Sequence, residues 1–218
     1  MLNTDFSQRV VLDTLNLTWQ ASPVSTVQRR PLERDGGEIA RATSIVRYEA
    51  GSSFPEHGHE LGEEILVLDG VFSDEHGEYP AGTYIKNPPG YSHAPFAAAG
   101  CILFVKVRHL DQADRERVVI DTRKSQWYPG MVRGLSVLPL GEFGTQHTAM
   151  VRWAPGTFFN PHRHYGGEEI FVVEGVFSDE FGEYSAGTWL RSPHLSQHQP
   201  YSREGCLIFV KTGHLPLP

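Results

Sequence analysis

The sequence has few cysteines, no long apolar run and no excess of basic residues, and each shortage excludes a class of protein. Two cysteines in 218 residues cannot form a disulfide framework. No stretch reaches the ~18 consecutive apolar residues of a membrane-spanning helix. The first residues, Met1 to Leu15, contain no apolar run of the signal-peptide type. We therefore expect a cytoplasmic protein.

The charge balance is acidic, with 19 Lys and Arg against 26 Asp and Glu and a formal net charge of −7. The basic residues form no cluster. Nucleic-acid binding therefore has no electrostatic support, and a small molecule is the expected ligand or substrate.

Glycine and proline are abundant, with 22 and 15 residues respectively, and they separate short apolar runs. The runs of the first half are 43–48, 65–68, 71–72, 83–85 and 102–107. Turn signals such as Asp69-Gly70 lie between them, and no window keeps a helical period. Short strands separated by such turns are typical of a β-sandwich or barrel. We expect an all-β protein with very little helix.

One long stretch occurs twice, because residues 42–110 align with residues 147–215 without a gap. Trp19 and Trp127 each precede a strand-like run and extend the repeat upstream. We therefore predict two domains, 1–112 and 113–218, each a double-stranded β-helix or jelly-roll barrel. Residues 1–18 would add a strand to one sheet, and residues 111–117 would be the linker.

One strand of each repeat, 64–68 and 169–173, is apolar on both faces. A strand with one wet face would alternate apolar and polar residues. The outer face is therefore expected to be covered, either by the other repeat or by the second subunit of a homodimer.

Each repeat contains the same four potential metal ligands at the same spacing. They are His57, His59, Glu63 and His93 in the first repeat and His162, His164, Glu168 and His198 in the second. Alternate residues of a strand point to one face, so both imidazoles of each His-x-His pair can converge on one point. Three imidazoles and a carboxylate suit Zn, Fe, Mn, Ni or Co. We predict one divalent transition metal per domain, and its identity stays open.

The spacing resembles a known motif. Gly51, His57-x-His59, Glu63 and Gly70 resemble the first motif of the cupin superfamily, and the second repeat matches it equally. The second cupin motif is looser. Its closing Asn is replaced by Ala97 and Ser202. The resemblance covers nearly the whole chain and implies two cupin domains in tandem, a bicupin.

Within the cupins, residues 62–75, Pro88, 93–95 and 100–106 resemble the ChrR-type domain of zinc-dependent anti-sigma factors. The resemblance implies metal at both ligand sets and a role in transcription regulation, for instance under oxidative stress. ChrR proteins hold their sigma factor with a separate N-terminal zinc domain built from His and Cys. Here the first His is His57 and the first Cys is Cys101. We therefore expect no tight sigma-factor binding by this chain.

Two functions remain open from the sequence. The favoured one is a regulatory or sensing module for a small molecule or oxidant. The alternative is a mononuclear non-heme dioxygenase that cleaves a C–C bond of a diketone or hydroxy ketone, which the cupin resemblance also implies. Four protein ligands leave two positions on octahedral Fe(II) but close the shell of tetrahedral Zn. The sequence shows no separate catalytic acid, base or nucleophile, so whether the protein is an enzyme stays open.

The remaining candidates have structural interpretations. Cys101 and Cys206 are expected to be small buried strand residues. Arg47 and Arg152 occupy matching strand positions and are either exposed or inward anion ligands. Of the remaining histidines, we expect packing or surface roles for His109, His214 and His76, with His194 as a candidate pocket residue.

The two sites are predicted to differ in function because their surroundings differ. Glu60 corresponds to Tyr165, and Gly58 corresponds to Arg163. Residues 89–92 and 194–197 also differ completely. Groups around a metal tune its affinity and accessibility.

Overall fold

The structure is a computed structural model that describes residues 1–37 and 39–217. Within these residues the regular structure consists of 24 strands and one 3-10 turn at Thr14–Asn16. The prediction of an all-β protein with very little helix is confirmed.

The strands are numbered in chain order. The first twelve are β1 (Val10–Asp13), β2 (Gln20–Ala21), β3 (Val27–Gly36), β4 (Ala40–Tyr48), β5 (Ser52–Ser53), β6 (His57–His59), β7 (Glu63–Asp74), β8 (Gly77–Pro80), β9 (Thr83–Asn87), β10 (Tyr91–His93), β11 (Phe96–Ala97) and β12 (Cys101–Val107). The others are β13 (Val118–Asp121), β14 (Tyr128–Pro129), β15 (Leu135–Phe143), β16 (Gln146–Trp153), β17 (Thr157–Phe158), β18 (His162–Arg163), β19 (Glu168–Asp179), β20 (Gly182–Ser185), β21 (Thr188–Ser192), β22 (Gln197–His198), β23 (Tyr201–Ser202) and β24 (Cys206–Thr212).

The chain divides into two compact units. The first comprises Met1–Thr4 and Leu17–Lys124, and the second comprises Asp5–Asn16 and Ser125–Pro218. The sequence repeats meet at residues 112 and 113, whereas the structural units also exchange short segments at the start of each repeat.

Both units have the same sheet topology. In the first, the main sheet has the order β13-β9-β7-β12-β4-β3-β2, and β6 pairs separately with β10. In the second, the order is β1-β21-β19-β24-β16-β15-β14, and β18 pairs with β22. The long strands β7 and β19 continue into a second set of short strands, where they pair with β8 and β11 or with β20 and β23. Each unit is thus an antiparallel jelly-roll barrel, as predicted.

In each unit, one edge strand of the main sheet comes from the segment that precedes the repeat of the other unit. β1 pairs with β21, with Val10 opposite Arg191, and β13 pairs with β9, with Val118 opposite Lys86. We call β1 and β13 the exchanged strands. The expected strand within residues 1–18 is therefore present, and it extends the sheet of the second unit.

The interior of each barrel is lined by corresponding apolar residues. The central ones are Ile65, Val67, Phe72, Ile85 and Leu103 in the first unit and Ile170, Val172, Phe177, Leu190 and Ile208 in the second. Neighbours on opposite faces of β7 are buried too, since Ile65 and Leu66 are each 2% exposed. Both faces of this strand are therefore covered within the single chain.

Gly70 lies inside a strand rather than in the turn that the sequence predicts. β7 runs through it, and the pairing with β12 shifts register next to it, between Ile102 and Leu103. Its φ of +72° lies in the left-handed region, and a Cβ here would lie 2.2 Å from the carbonyl oxygen of Gly100. Glycine at this position therefore allows the long strand to bend from one sheet into the other.

The two cysteines are free and buried, on β12 and β24. Burial raises the pKa of Cys101 to about 12 and that of Cys206 to about 11. Both thiols therefore stay protonated at neutral pH, and the prediction of small buried strand residues is confirmed.

No helical segment within residues 1–37 and 39–217 has the length and apolarity that crossing a membrane requires.

Replacing Gly175, the counterpart of Gly70, with Ala should destabilise the protein. Gly175 has a φ of +73°, and an added Cβ would lie 2.1 Å from the carbonyl oxygen of Gly205. Left-handed strain and overpacking together cost about 2–4 kcal/mol, measurable by urea denaturation. The control is Gly141→Ala, where an added Cβ would meet no atom within 4 Å. Equal denaturation midpoints for the two variants would contradict the role of Gly175.

Candidate metal centres

In the first unit the donor atoms of His57, His59 and His93 lie within 4.8 Å of one another, and Glu63 contacts two of these histidines. The Nε2 atoms of His59 and His93 are 3.1 Å apart. The Oε1 atom of Glu63 lies 3.3 Å from the former and 3.2 Å from the latter. The ring of His57 completes the group, with its centroid 4.8 Å from that of His59 and 5.2 Å from that of His93.

Local strand geometry produces this convergence. His57 and His59 are alternate residues of β6, so their side chains share a face. β6 pairs with β10 in the register that places His57 opposite His93. Glu63 follows a turn closed by the hydrogen bond from the Gly62 amide to the His59 carbonyl, and it is the first residue of β7.

The second unit repeats the arrangement. The Nε2 atoms of His164 and His198 are 3.0 Å apart, and Oε2 of Glu168 lies 3.5 Å from each. β18 pairs with β22 with His162 opposite His198. The ring centroid of His162 lies 4.5 Å from that of His164 and 4.8 Å from that of His198.

The donor atoms fit a transition-metal ion. Neighbouring ligands at about 2.1 Å from one ion are themselves about 3.0–3.4 Å apart, close to the separations of 3.0 to 3.5 Å found here. The Nδ1 atom of His57 lies 2.9 Å from the carbonyl oxygen of Pro55, and that of His162 lies 2.9 Å from the carbonyl oxygen of Asn160. Because the carbonyl oxygen accepts a hydrogen bond from the protonated Nδ1, the lone pair on Nε2 of each ring is left for a metal.

An aspartate behind each site was not predicted from the sequence. The Oδ2 atom of Asp74 lies 3.4 Å from Nδ1 of His93, and that of Asp179 lies 3.6 Å from Nδ1 of His198. A hydroxyl supports each carboxylate: Tyr79 donates to Asp74 at 2.9 Å, and Tyr184 donates to Asp179 at 2.7 Å. A carboxylate behind a histidine fixes the tautomer and orients the ring.

An arginine next to each exchanged strand extends this network. Arg9 donates to Asp179 and to the Tyr184 hydroxyl, both at 2.8 Å. Arg117 donates to the Tyr79 hydroxyl at 3.0 Å and to Oδ1 of Asn87 at 3.1 Å. The matching Arg-Val-Val triplets at 9–11 and 117–119 were the available signal. Both triplets lie upstream of Trp19 and Trp127, where the predicted repeat begins, so the roles of the two arginines were not predicted.

The two glutamates differ in their hydrogen bonding. Asn87 donates to Oε1 of Glu63 at 2.8 Å, whereas Ser192 stands at the corresponding position of the second unit. Burial raises the pKa of both carboxyl groups, to about 7 for Glu168. Electrostatic interaction with the adjacent histidine, His93 or His198, opposes this increase in both units, and in the first unit the hydrogen bond from Asn87 opposes it as well.

The histidines are biased toward the neutral form that binds metals. Burial lowers the pKa of His59 to about 4 and that of His164 to about 3. Burial also lowers the pKa of His93. His198 differs, because burial alone would lower its pKa but Asp179 and Glu168 raise it above its ordinary value.

Each ligand set faces a cavity inside its barrel. The cavity of the first unit has a volume of about 280 Å³ and includes His57, His59, Glu63 and His93 in its wall. That of the second unit has about 190 Å³ and includes His162, Glu168 and His198. The other walls are mostly apolar in both, so a small organic molecule could reach a bound ion from the cavity.

The opposite side of the histidines differs between the units. In the second unit a further cavity of about 230 Å³ lies beside His164 and His198, and Ser196 and Arg9 line it. In the first unit Tyr91 stands at the position of Ser196. Its ring contacts that of His93 at a centroid distance of 5.9 Å, and Arg117 lies 5.0 Å from its centroid. The sequence difference at residues 89–92 and 194–197 thus changes the surroundings of the site, as predicted.

The other sequence candidates lie away from the ligand sets. His214 is buried against Glu169 at 3.0 Å, and Nε2 of His109 lies 3.0 Å from the carbonyl oxygen of Ala42. His194 accepts a hydrogen bond from the Gly166 amide at 2.9 Å, which gives it a role in a turn. His76 has a side chain that is 48% exposed.

Arg47 and Arg152 stack on tryptophans. The guanidinium of Arg47 lies 4.5 Å from the ring centroid of Trp19, and that of Arg152 lies 4.3 Å from the ring centroid of Trp127. Neither lines the cavity of its unit. Among the described residues, the arginine that lines the first cavity is Arg29, which was not predicted from the sequence.

Two jelly-roll barrels, each with a cluster of three histidines and a glutamate at its interior cavity, define a bicupin with candidate metal sites. The model of the ChrR cupin-like domain matches residues 7–111 and again residues 115–216. The chain therefore belongs to the ChrR cupin-like domain family. No curated protein sequence matches it at a significant level.

Solved structures share the fold at low sequence identity. A candidate dioxygenase from Nostoc punctiforme has a TM-score of 0.79 and 14% identity, over 94% of this chain and 82% of that one. The bacterial pirin YhhW from Escherichia coli, in complex with nickel(II), has a TM-score of 0.70 and 13% identity, over 97% and 100%. Lactobacillus farciminis oxalate decarboxylase, in a formate complex, has a TM-score of 0.63 and 14% identity, over 95% and 86%. Since these proteins differ in activity, the shared fold alone does not define a reaction.

Replacing His59 and His164 together with Ala should abolish stoichiometric metal binding. Each substitution removes one imidazole, and the three side chains that remain in the cluster no longer provide the full set of donor atoms. Each single variant should retain the ion of the other unit. Metal analysis after reconstitution and gel filtration measures the content, with His76→Ala/His147→Ala as the control. Full metal content in the His59/His164 double variant would contradict the assignment.

Replacing Glu168 with Gln should stabilise the metal-free protein at alkaline pH. The pKa of Glu168 is about 7 in the folded state against an ordinary value of 4.5. The pKa of Glu168 is higher in the folded state than in the unfolded state. Its contribution to the free energy of unfolding is therefore greatest below the unfolded-state pKa of 4.5 and is lost as the pH rises through about 7. The variant should gain about 3 kcal/mol over wild type at pH 8 and about 1 kcal/mol or less at pH 5.

Chelator-treated protein and urea denaturation at both pH values measure this difference. Glu204→Gln, an exposed residue of the same unit, is the control and should show no such pH dependence. A gain that is equal at pH 5 and pH 8 would show that Glu168 does not titrate as described.

Proposed function

We propose that this protein is a mononuclear metal enzyme of the dioxygenase type that acts on a small carbonyl compound, such as a diketone or hydroxy ketone. The cavity beside the ligand set of the first unit carries the proposal. A purely structural metal centre is closed by its protein ligands. Here Glu63, His57, His59 and His93 form part of the wall of a cavity of about 280 Å³.

We propose His57, His59, Glu63 and His93 as the ligands of one ion, and His162, His164, Glu168 and His198 as those of the other. A redox-active divalent ion such as Fe(II) supplies Lewis acidity and activation of dioxygen when it is bound. Three imidazoles and one carboxylate leave two positions of an octahedral ion for small molecules.

The other residues of the first unit have identifiable tasks. The side chains of Val46, Ile65, Phe72 and Leu103 line the cavity and would exclude water from an organic substrate. Asp74 holds the Nδ1 proton of His93, and Asn87 holds Glu63 by its amide. These contacts fix the orientation of the ligands before a substrate binds.

Metal-dependent sensing of a small molecule is a second candidate function. Its support is the match of the ChrR cupin-like domain to both repeats, because the ChrR resemblance implies regulation. In this function the ion would be zinc, and ligand binding would change the state of the barrel without turnover.

Oxygen consumption distinguishes the two functions. Protein reconstituted anaerobically with Fe(II) should consume dioxygen when given at least one member of a series of 1,2-diketones, 1,3-diketones and hydroxy ketones. The zinc-loaded protein and the His59→Ala/His164→Ala variant should not, because they lack a redox-active ion. Stoichiometric Fe(II) without oxygen uptake across the series would overturn the enzymatic proposal and favour sensing.

A further inference from the structure

We propose that the first cavity binds an anionic, carboxylate-bearing small molecule through Arg29, whereas the second cavity accepts a neutral one. This inference rests on the proposed function, since the carboxylate would lie in the same cavity as the metal ligands. It assigns a substrate class to one of two sites whose predicted metal ligands are identical.

The position of Arg29 is set by strand register. Arg29 lies on β3 directly opposite Val46 of β4, and both residues line the first cavity. In the second unit Val137 of β15 lies opposite Val151 of β16, and both line the second cavity. The same wall thus contains an arginine in one unit and a valine in the other.

Most of the other wall positions have apolar residues in both units. The matching pairs are Phe54 and Phe159, Ile65 and Ile170, Phe72 and Phe177, Leu103 and Ile208, and Val105 and Val210. Tyr48 of the first cavity corresponds to Trp153 of the second, which exchanges a hydroxyl for a larger ring. The difference in formal charge between the two sets of described wall residues therefore comes from Arg29.

The charges of the first site favour an anion. Glu63 is the carboxylate among the described wall residues of that cavity. A divalent ion bound by neutral imidazoles and Glu63 would retain one net positive charge, and Arg29 in the wall of the same cavity carries a charge of the same sign. A guanidinium binds a carboxylate through two parallel hydrogen bonds, and such pairs are stronger where water is excluded. In the second site Val137 provides neither the charge nor the donors.

Isothermal titration calorimetry with a matched pair of probes tests the proposal. Pyruvate and butane-2,3-dione differ only in that a carboxylate replaces an acetyl group, and both can approach a metal through adjacent oxygens. The protein is loaded with Ni(II), so that binding is measured without turnover. The His164→Ala background confines the metal to the first unit, and His59→Ala confines it to the second.

In the His164→Ala background, pyruvate should bind at least tenfold more tightly than butane-2,3-dione. Adding Arg29→Val should weaken pyruvate binding at least tenfold and change dione binding less than threefold. Arg29→Lys should keep part of the pyruvate affinity. The control Arg30→Gln should have no effect, because Arg30 lies over the ring of Trp19, 4.2 Å from its centroid, and outside the cavity. In the His59→Ala background, Val137→Arg should increase pyruvate affinity.

The outcomes separate this inference from the proposed function. Loss of Ni(II) from the His164→Ala protein would refute the first metal site itself. Retained Ni(II) with equal pyruvate affinity before and after Arg29→Val would overturn the inference and leave the metal site in place. Thermal denaturation of each variant verifies that it is folded, and Arg29→Lys provides the comparison if Arg29→Val is not.

Discussion

The pairing of two short strands is the constraint on which each candidate site depends. β6 pairs with β10 so that His57 lies opposite His93, and β18 pairs with β22 so that His162 lies opposite His198. A shift by one residue would turn every side chain of a strand to the other face, and the imidazoles would diverge. The glutamate then needs only to begin the next long strand, which the glycine turn before it allows. In each unit, the His-x-His pair, the glutamate and the distant third histidine thus converge because the register of one strand pair is fixed.

The exchanged strands connect the fold to the chemistry of the sites. Each places an arginine in the hydrogen-bond network behind a candidate metal-binding histidine: Arg9 donates to Asp179, and Arg117 donates to Tyr79. Each of these arginines precedes one sequence repeat and acts in the unit built mainly from the other. The orientation of each histidine therefore depends on a segment that lies outside the repeat from which most of its barrel is built.

Duplication kept the ligands and changed their surroundings. Asn87 supports Glu63, but Ser192 replaces it in the second unit, where burial raises the pKa of Glu168 to about 7. Arg29 gives the first cavity a positive charge that Val137 does not provide. Identical donor sets can therefore differ in the pH at which they bind metal and in the molecules that reach them. Such differences are what allow two copies of one barrel to take on separate functions.

The sequence alone indicated the duplication, the β class and the candidate metal ligands, because periodicity, turn residues and repeated ligand spacing are local signals. Gly70 resembles a turn residue in the sequence but lies in a strand, at a position where a Cβ would collide with the carbonyl oxygen of Gly100. The roles of Asp74, Asp179, Arg9, Arg117 and Arg29 were not predicted, because they depend on which strands pair across long sequence separations. The sequence left Arg47 either exposed or inward, and the structure places its guanidinium over the ring of Trp19, whereas Arg29 lines the cavity. The sequence specifies the type of each side chain. The face on which a side chain lies, and the groups that it contacts there, are decided only by the pairing of strands in the tertiary structure.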